Sequence, residues 1–235
     1  MVTKTRPLRP SGVEALDNRD LDNELAQTML DEIALTNVLF GGNAAVKFGL
    51  VKLKQGESGS PSITILDIGA GAGDVTRRAC EVLGEHRTVP IALDHHVAAA
   101  RMCRAKGVTS VVGDIRRLPL RPDSVDIAIV SMVLHHLPRL EAVALIAQLD
   151  AAARLGVVIA DLRRSRIAAT AFDIASRILR LHAVTRRDGV LSIRRGFTAS
   201  ELADIIADAG VSQATVHRRI GWRVVAYWRA RHEDS

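Results

Sequence analysis

The sequence predicts an α/β protein built on a doubly wound, mostly parallel sheet. Two observations carry this. From residue 62 onward, short and nearly continuous apolar runs alternate with helix-like segments, the pattern of strands covered on both faces. A glycine-rich turn, "GAGAG", follows the first of these runs, at the strand-to-helix position where such sheets bind ligands.

Residues 1 to about 20 are polar and contain proline, the character of a loose arm. Between Asp22 and Phe40, Leu25, Met29, Ile33, Leu35, Val38 and Leu39 approximate one helical face, and "FGGN" supplies a stop. A second helix is expected from Ala44 to about Lys54. "QGESGSP" has the composition of a flexible linker, which puts a boundary there. An N-terminal arm and helical cap then occupy residues 1–55 and the main domain 56–235.

In the main domain "SITILDIG" reads as a strand, Asp74 to Leu83 as a helix, "TVPIALD" as a strand and Val97 to Lys106 as a helix. "VTSVVGD" and "SVDIAIVSMV" are further strands, Pro138 to Arg154 a helix, and "LGVVIAD" a fifth strand. A long helix over Ile167 to Leu181 then interrupts the rhythm, within an insertion at about 163–197. The alternation resumes with a helix from Ser200 to Ala209 and two last strands, "QATVHRRI" and "WRVVAYWRA", with Gly221 suited to a turn between them.

Of the 235 residues 48% are hydrophobic and only 3% aromatic, so the core is aliphatic. Cys80 and Cys103 lack metal-ligand spacing and read as buried thiols of a reducing, cytoplasmic compartment; no metal is expected. No apolar run opens the chain as a signal peptide would, and none is long enough to span a bilayer. The net charge of +6 is concentrated late, with ten arginines between Arg154 and Arg195. Aromatic platforms for stacking bases are nearly absent, which disfavours nucleic acid as a partner.

The glycines Gly69, Gly71 and Gly73 let a ligand approach backbone N–H groups at a helix start. A dinucleotide site needs G-x-G-x-x-G, and here the third glycine comes one residue early. Asp67, two residues before the first glycine, would repel a pyrophosphate and attract a cationic amino-acid group.

With these residues in place, "LDIGAGAGD" resembles the first motif of the class I S-adenosylmethionine-dependent methyltransferases, and other motifs follow in order. The resemblance implies a Rossmann-like, seven-stranded sheet with an antiparallel terminal strand, and S-adenosyl-L-methionine as cofactor. It implies that Asp94, at the end of "IALD", binds the ribose hydroxyls, and that Asp114 and Ile115 of "GDIRRLPL" meet the adenine. Asp67, Gly69, Ala70, Gly71, Gly73, His95 and Ser131 complete the expected cofactor site. "VDIAIVSMVLHHLP" looks like the fourth motif and puts His135 and His136 beside the methyl-donor position, either of them suited to take a proton from a phenol or enol. The same stretch lacks an Asn/Asp-Pro-Pro-Tyr-type tetrad, which disfavours a nucleobase amine as acceptor.

"ADLRRS", "HAVTRRDGVLSIRRGFTASEL" and "LTNVLFGGNAA" further resemble a bacterial subgroup of small-molecule methyltransferases associated with polyketide or aromatic-lipid pathways. The expected reaction is therefore O-methylation of a small apolar or aromatic hydroxylated metabolite. Ile167, Phe172, Ile174, Ile178 and Leu179 are expected to roof its pocket, Arg163, Arg194 and Arg195 to form a rim, and Phe40 to close over the bound pair. An RNA or protein methyltransferase using the basic C-terminal third is the competing class. A cofactor-binding module without catalysis is the third, and the intact motifs from Asp67 to Asp114 weigh against it.

Overall fold

The computed structural model describes residues 10, 12–55, 62–118 and 120–230. Most of the expected linker (56–61) and residues 1–9 and 11 of the expected arm lie outside the described residues. Two helices come first, α1 (Asn23–Leu39) and α2 (Gly42–Lys54). Asp22 starts α1 by accepting the backbone N–H of Glu24 and Leu25, both at 3.0 Å, which satisfies donors that have no partner inside the helix.

The alternating part runs β1 (Ile63–Ile68), α3 (Asp74–Leu83), β2 (Thr88–Asp94), α4 (Val97–Ala105), β3 (Thr109–Val112), β4 (Val125–Ser131), α5 (Arg139–Ala152) and β5 (Ala153–Leu162). After it come α6 (Arg166–Ile178), α7 (Ala183–Arg195), α8 (Ala199–Asp208), β6 (Thr215–Arg219) and β7 (Arg223–Arg229). The seven strands form one sheet in the order β3-β2-β1-β4-β5-β7-β6. β1 through β5 pair in parallel, and β7 is antiparallel to both β5 and β6. The chain winds outward from β1 to β3 and then returns to put β4 on the other side of β1. The winding reverses there, which opens a crevice at the C-terminal ends of β1 and β4.

The central parallel strands β1, β4 and β5 are apolar on both faces because both faces are covered, whereas the edge strand β3 leaves Val111 and Val112 exposed. Ala45, Val46, Leu50 and Leu53 of α2 share one buried cluster with Val75, Ala79 and Leu83 of α3, on the face of Ile65 and Ile129. Leu145, Ile146 and Leu149 of α5 and Leu202, Ile205 and Ile206 of α8 cover the other, around Ile68 and Ile159. Ile65, Ile68, Ile129 and Ile159 are completely buried, each contributing on the order of 1.5–3 kcal/mol through removal from water. α2 is thus part of a sheet layer, whereas α1 lies over α4 and the crevice. We propose the division at residue 55 as one of chain organisation, not of packing. α1 and α2 together reach a membrane span's length and hydropathy, but across a 63° bend; no single helix among the described residues does so.

The long helix expected over Ile167–Leu181 is corrected to α6, which ends at Ile178, followed by a second helix, α7, that the sequence reading lacks. Arg180 turns the chain with φ +55°, Leu181 is buried, and His182 caps α7 by accepting the Val184 N–H. At α8, Thr198 and Glu201 form a reciprocal cap: the Thr198 hydroxyl accepts the Glu201 N–H at 3.1 Å and the Glu201 carboxylate accepts the Thr198 N–H at 2.8 Å.

Candidate active site

The strand ends open on a cavity of about 550 Å³, a size typical of small-molecule sites. Its floor is the turn after β1. Gly69 holds φ +68°, and a Cβ there would stand 2.3 Å from Val133 Cγ2, so only glycine fits. Gly71, at φ +53°, donates its N–H to Asp94 Oδ2 at 2.9 Å. Gly69, Ala70 and Gly71 all line the cavity, but Gly73 does not: its α-carbon faces Cys103 of α4, where a Cβ would meet the sulfur at 3.1 Å. Gly73 is therefore a packing residue between α3 and α4, which corrects its expected place in the ligand site.

Asp67 sits under this turn, 1% exposed. Its Oδ2 accepts the Thr76 hydroxyl at 2.6 Å, while Oδ1 has no partner. Burial raises its pKa to about 7, with Asp74 and Asp94 adding to the rise and the Thr76 hydrogen bond opposing it. An orphaned, buried carboxylate oxygen in a glycine-lined hollow fits a small cation such as an ammonium group. Asp94 is occupied on both oxygens, by the N–H of Gly71 and by that of His96 at 2.9 Å. Each carboxylate oxygen retains acceptor capacity for a hydroxyl. His95 lies beside it, its Nε2 2.7 Å from Leu16 O. Asp114 pairs with Arg19 at 2.8 Å, Ile115 lines the same end, and Ser131 presents a buried hydroxyl without a partner.

His135 and His136 follow β4 in a single 3-10 turn, rings 4.2 Å apart, yet their surroundings differ. His135 is 2% exposed, and its Nδ1 lies 2.7 Å from Asp161 Oδ1 at the end of β5. Asp161 also accepts the N–H of Leu162 at 2.6 Å and of His135 at 3.3 Å. Burial would raise its pKa, but the charge and hydrogen bond of His135 and the Leu162 N–H outweigh this and hold it below the usual carboxylate range. An ionised carboxylate can only accept, so Nδ1 carries a proton, and in the neutral ring the lone pair then belongs to Nε2. Nε2 has no partner, and His135 lines the cavity.

His136 instead puts Nδ1 2.8 Å from Asp17, with Nε2 3.7 Å from Glu14. Burial would lower its pKa, but the Asp17 hydrogen bond and the charges of Glu14, Asp17 and Asp161 raise it overall. His136 thus favours its cationic form.

Residues 12–20 are not the loose arm the sequence suggests. They lie along the cavity, with Glu14 ion-paired to Arg195 at 3.1 Å and accepting the Ser192 hydroxyl at 2.6 Å. Asp188 of α7 accepts the Ala15 N–H at 2.6 Å. The expected arginine rim is also corrected. Arg195 lines the cavity but is neutralised by Glu14, while Arg194 is exposed and, like Arg163, lies outside the lining. A buried guanidinium that the expected rim did not include, Arg223, also lines the cavity, together with Arg19 and Arg116; it starts β7 and is 3% exposed. Its Nε donates to Phe40 O at 3.2 Å, and burial lowers its pKa to about 10, with Asp161 and Asp74 opposing, so it remains charged. Phe40 lines the cavity and meets Phe172 edge-on, centroids 5.9 Å apart. Of the residues expected on the roof from α6, only Phe172 lines it; Ile167, Ile174, Ile178 and Leu179 face outward.

Comparison with known proteins agrees with this architecture. Residues 65–156 match a family model described as a methyltransferase domain. Among proteins of curated function, none matches the sequence. Similar solved structures include a carbon methyltransferase, CurJ (16% identity, TM-score 0.60, covering 80% of this chain and 54% of that one). An S-adenosylmethionine-dependent methyltransferase of Aquifex aeolicus is similar at 16% identity and TM-score 0.59, over 87% of this chain and 98% of that one. Human N-acetylserotonin methyltransferase, in complex with S-adenosylmethionine, is similar at 11% identity and TM-score 0.60, over 88% and 56%. This chain therefore spans about half the length of two of the three, and at these identities the likeness is one of fold. Taken with the order of the motifs along the sheet, the matched model identifies residues 65–156 as a methyltransferase domain, whose cofactor is S-adenosylmethionine.

Proposed function

We propose that the chain methylates a hydroxyl of a small, apolar or aromatic metabolite that reacts as its oxyanion. The observation that carries this reading is the buried His135–Asp161 pair, which leaves one buried and unpartnered nitrogen, Nε2, on a residue that lines a largely apolar cavity. When bound, S-adenosylmethionine supplies an electrophilic methyl group. In this reading Asp67 holds its ammonium and Asp94 its ribose hydroxyls, with Asp114 and Ile115 flanking the adenine. Gly69, Ala70, Gly71, His95 and Ser131 form the remaining wall.

The protein's own contribution is alignment and an ionised acceptor. His135 Nε2 takes the hydroxyl proton, Asp161 fixes the tautomer and stabilises the imidazolium, and His136 stays protonated as a second positive charge. Arg223 replaces the exposed Arg194 as the group that holds the oxyanion, by charge-assisted hydrogen bonds. Phe40 and Phe172 press on the acceptor's apolar body, and residues 12–20 keep water from that end of the site. A strap over the cavity suits a small acceptor better than an RNA or a protein.

Asp94→Ala should weaken S-adenosylhomocysteine binding by roughly 1.5–3 kcal/mol, the scale of a hydrogen bond to a charged group. Calorimetry reads this directly; unchanged affinity would remove Asp94 from the site. The acceptor class is tested by supplying radiolabelled cofactor with alkylated phenols, pyrones, free nucleosides and bulk tRNA. Label should enter the phenols or pyrones on oxygen, as located by fragmentation of the product. Label on carbon would move the chemistry to C-methylation, and labelled tRNA beside unlabelled phenols would overturn the small-molecule reading.

A further inference from the structure

We infer that the outer side of α6, the end of α1 and the turn between β6 and β7 form one face that docks on an anionic lipid surface, from which a lipophilic acceptor enters the cavity. This rests on the cavity being the acceptor site.

α6 is turned inside out for a helix of a globular domain. Ile167, Ile174 and Ile178 are exposed at 73%, 55% and 75%, and spacings of seven and four residues put them on one stripe. The inward side of α6 instead carries the small Ala168 and Ala169, with Phe172 at the cavity. Val38 and Leu39 at the end of α1 and Ile220 in the β6–β7 turn are likewise exposed. These three elements meet. Phe40 touches Phe172, a Cβ at Gly221 would stand 2.1 Å from Phe40 O, and the Arg163 N–H donates to Trp222 O at 2.7 Å. Phe40, Ala171, Phe172 and Trp222, where they meet, also line the cavity. The apolar face therefore surrounds one rim of the site.

Charge selects the occupant. Arg166, Arg177 and Arg180 lie on and just beyond α6, and Arg218 and Arg219 on the β6 side of the turn. Against them α6 has a single carboxylate, Asp173, already paired with Arg177. Apolar side chains flanked by arginines are the composition of helices that lie in the interface of anionic bilayers. A second copy of the chain would bring the same arginines against each other. A protein seated over this rim would close it to substrate, whereas a bilayer would deliver one. No single helix among the described residues is long and apolar enough to cross a membrane, so the contact is peripheral.

The test is co-sedimentation of the full chain with sucrose-loaded vesicles, of phosphatidylcholine alone or mixed with phosphatidylglycerol. The chain should pellet with the mixed vesicles, less with the neutral ones, and be released by high salt. Ile167→Ser/Ile174→Ser/Ile178→Ser should weaken binding by about tenfold or more, and Arg166→Glu/Arg180→Glu by roughly fivefold for each lost positive charge. None of these side chains is assigned to cofactor or acceptor, so S-adenosylhomocysteine affinity by calorimetry should stay at wild type in both variants. Equal binding to both vesicle types, or vesicle binding indifferent to the triple substitution, would overturn the inference. So would a wild-type dimer that the triple variant breaks, which would assign the face to a second copy. Failure of the unsubstituted chain to bind S-adenosylhomocysteine would instead sink the reading of the cavity, independently of the vesicle result.

Discussion

His135→Ala should lower turnover by about 10²–10⁴ while leaving S-adenosylhomocysteine affinity near wild type, the loss typical of a removed general base. The two histidines are adjacent in sequence and equivalent in type; only their partners distinguish them. Asp161 is buried and ionised, and it accepts three N–H groups, one of them from the His135 ring. That leaves Nε2 of His135 as a ring nitrogen without a partner. His136 sits between Asp17 and Glu14, which favour its protonated form, and a protonated imidazole cannot accept a proton. His136→Ala should therefore cost much less in turnover than His135→Ala, and its loss should fall mainly on acceptor KM. Asp161→Asn provides an independent check. The amide keeps the volume but can present its NH₂ to Nδ1, which would reverse the tautomer and put the proton on Nε2. Turnover should fall about as far as in His135→Ala, with the cofactor still bound. Single-turnover rates with saturating cofactor measure both. Losses under tenfold in His135→Ala would exclude it from the chemistry.

The strands and most helices were legible because their signals are local. β1, β4 and β5 carry nearly continuous apolar runs rich in Val and Ile, and the turn between β1 and α3 announces itself by three glycines on alternate positions. Asp94 and Asp114 were expected at the site from their resemblance to known motifs, and both line the cavity. What failed depends on contacts distant in sequence. α7 is polar and carries Gly189 in its interior, which weakens its helical signal. Residues 12–20 looked like a loose arm because they are held by Asp188, Ser192 and Arg195, more than 170 residues away. Asp161 ends a strand and gives no sign that it faces a histidine 26 positions earlier. Arg223 was hidden among many arginines of the C-terminal third; only the pairing of β7 with β5 brings it to the cavity. The isoleucines of α6 were assigned to a roof on the general expectation that apolar side chains point inward, and the helix is rotated the other way.

Asp67→Asn should weaken S-adenosylmethionine binding by on the order of 10²–10³, because removing one partner of a buried ion pair leaves the other uncompensated. The same substitution should raise the stability of the free chain near neutral pH. Burial puts the Asp67 pKa at about 7 against an ordinary 3.8, so the folded chain binds this proton more tightly than the unfolded chain does. The stability tied to it is complete below about pH 4 and is lost as pH rises through about 7. Asparagine abolishes that dependence, since its carbonyl can still accept the Thr76 hydroxyl and no charge is buried. Cofactor affinity runs the opposite way: an ammonium needs the carboxylate ionised, so affinity should fall by about tenfold for each pH unit below 7 and level off above it. Calorimetry in buffers of different ionisation enthalpy would also detect the proton released on binding at pH 6. A wild-type affinity that is flat between pH 5.5 and 7, or an Asp67→Asn protein that binds as tightly as wild type, would show that the orphaned oxygen does not face the cofactor's cation. The expected pattern is a more stable, nearly non-binding variant: the buried charge costs the free fold stability and is retained because the ligand neutralises it.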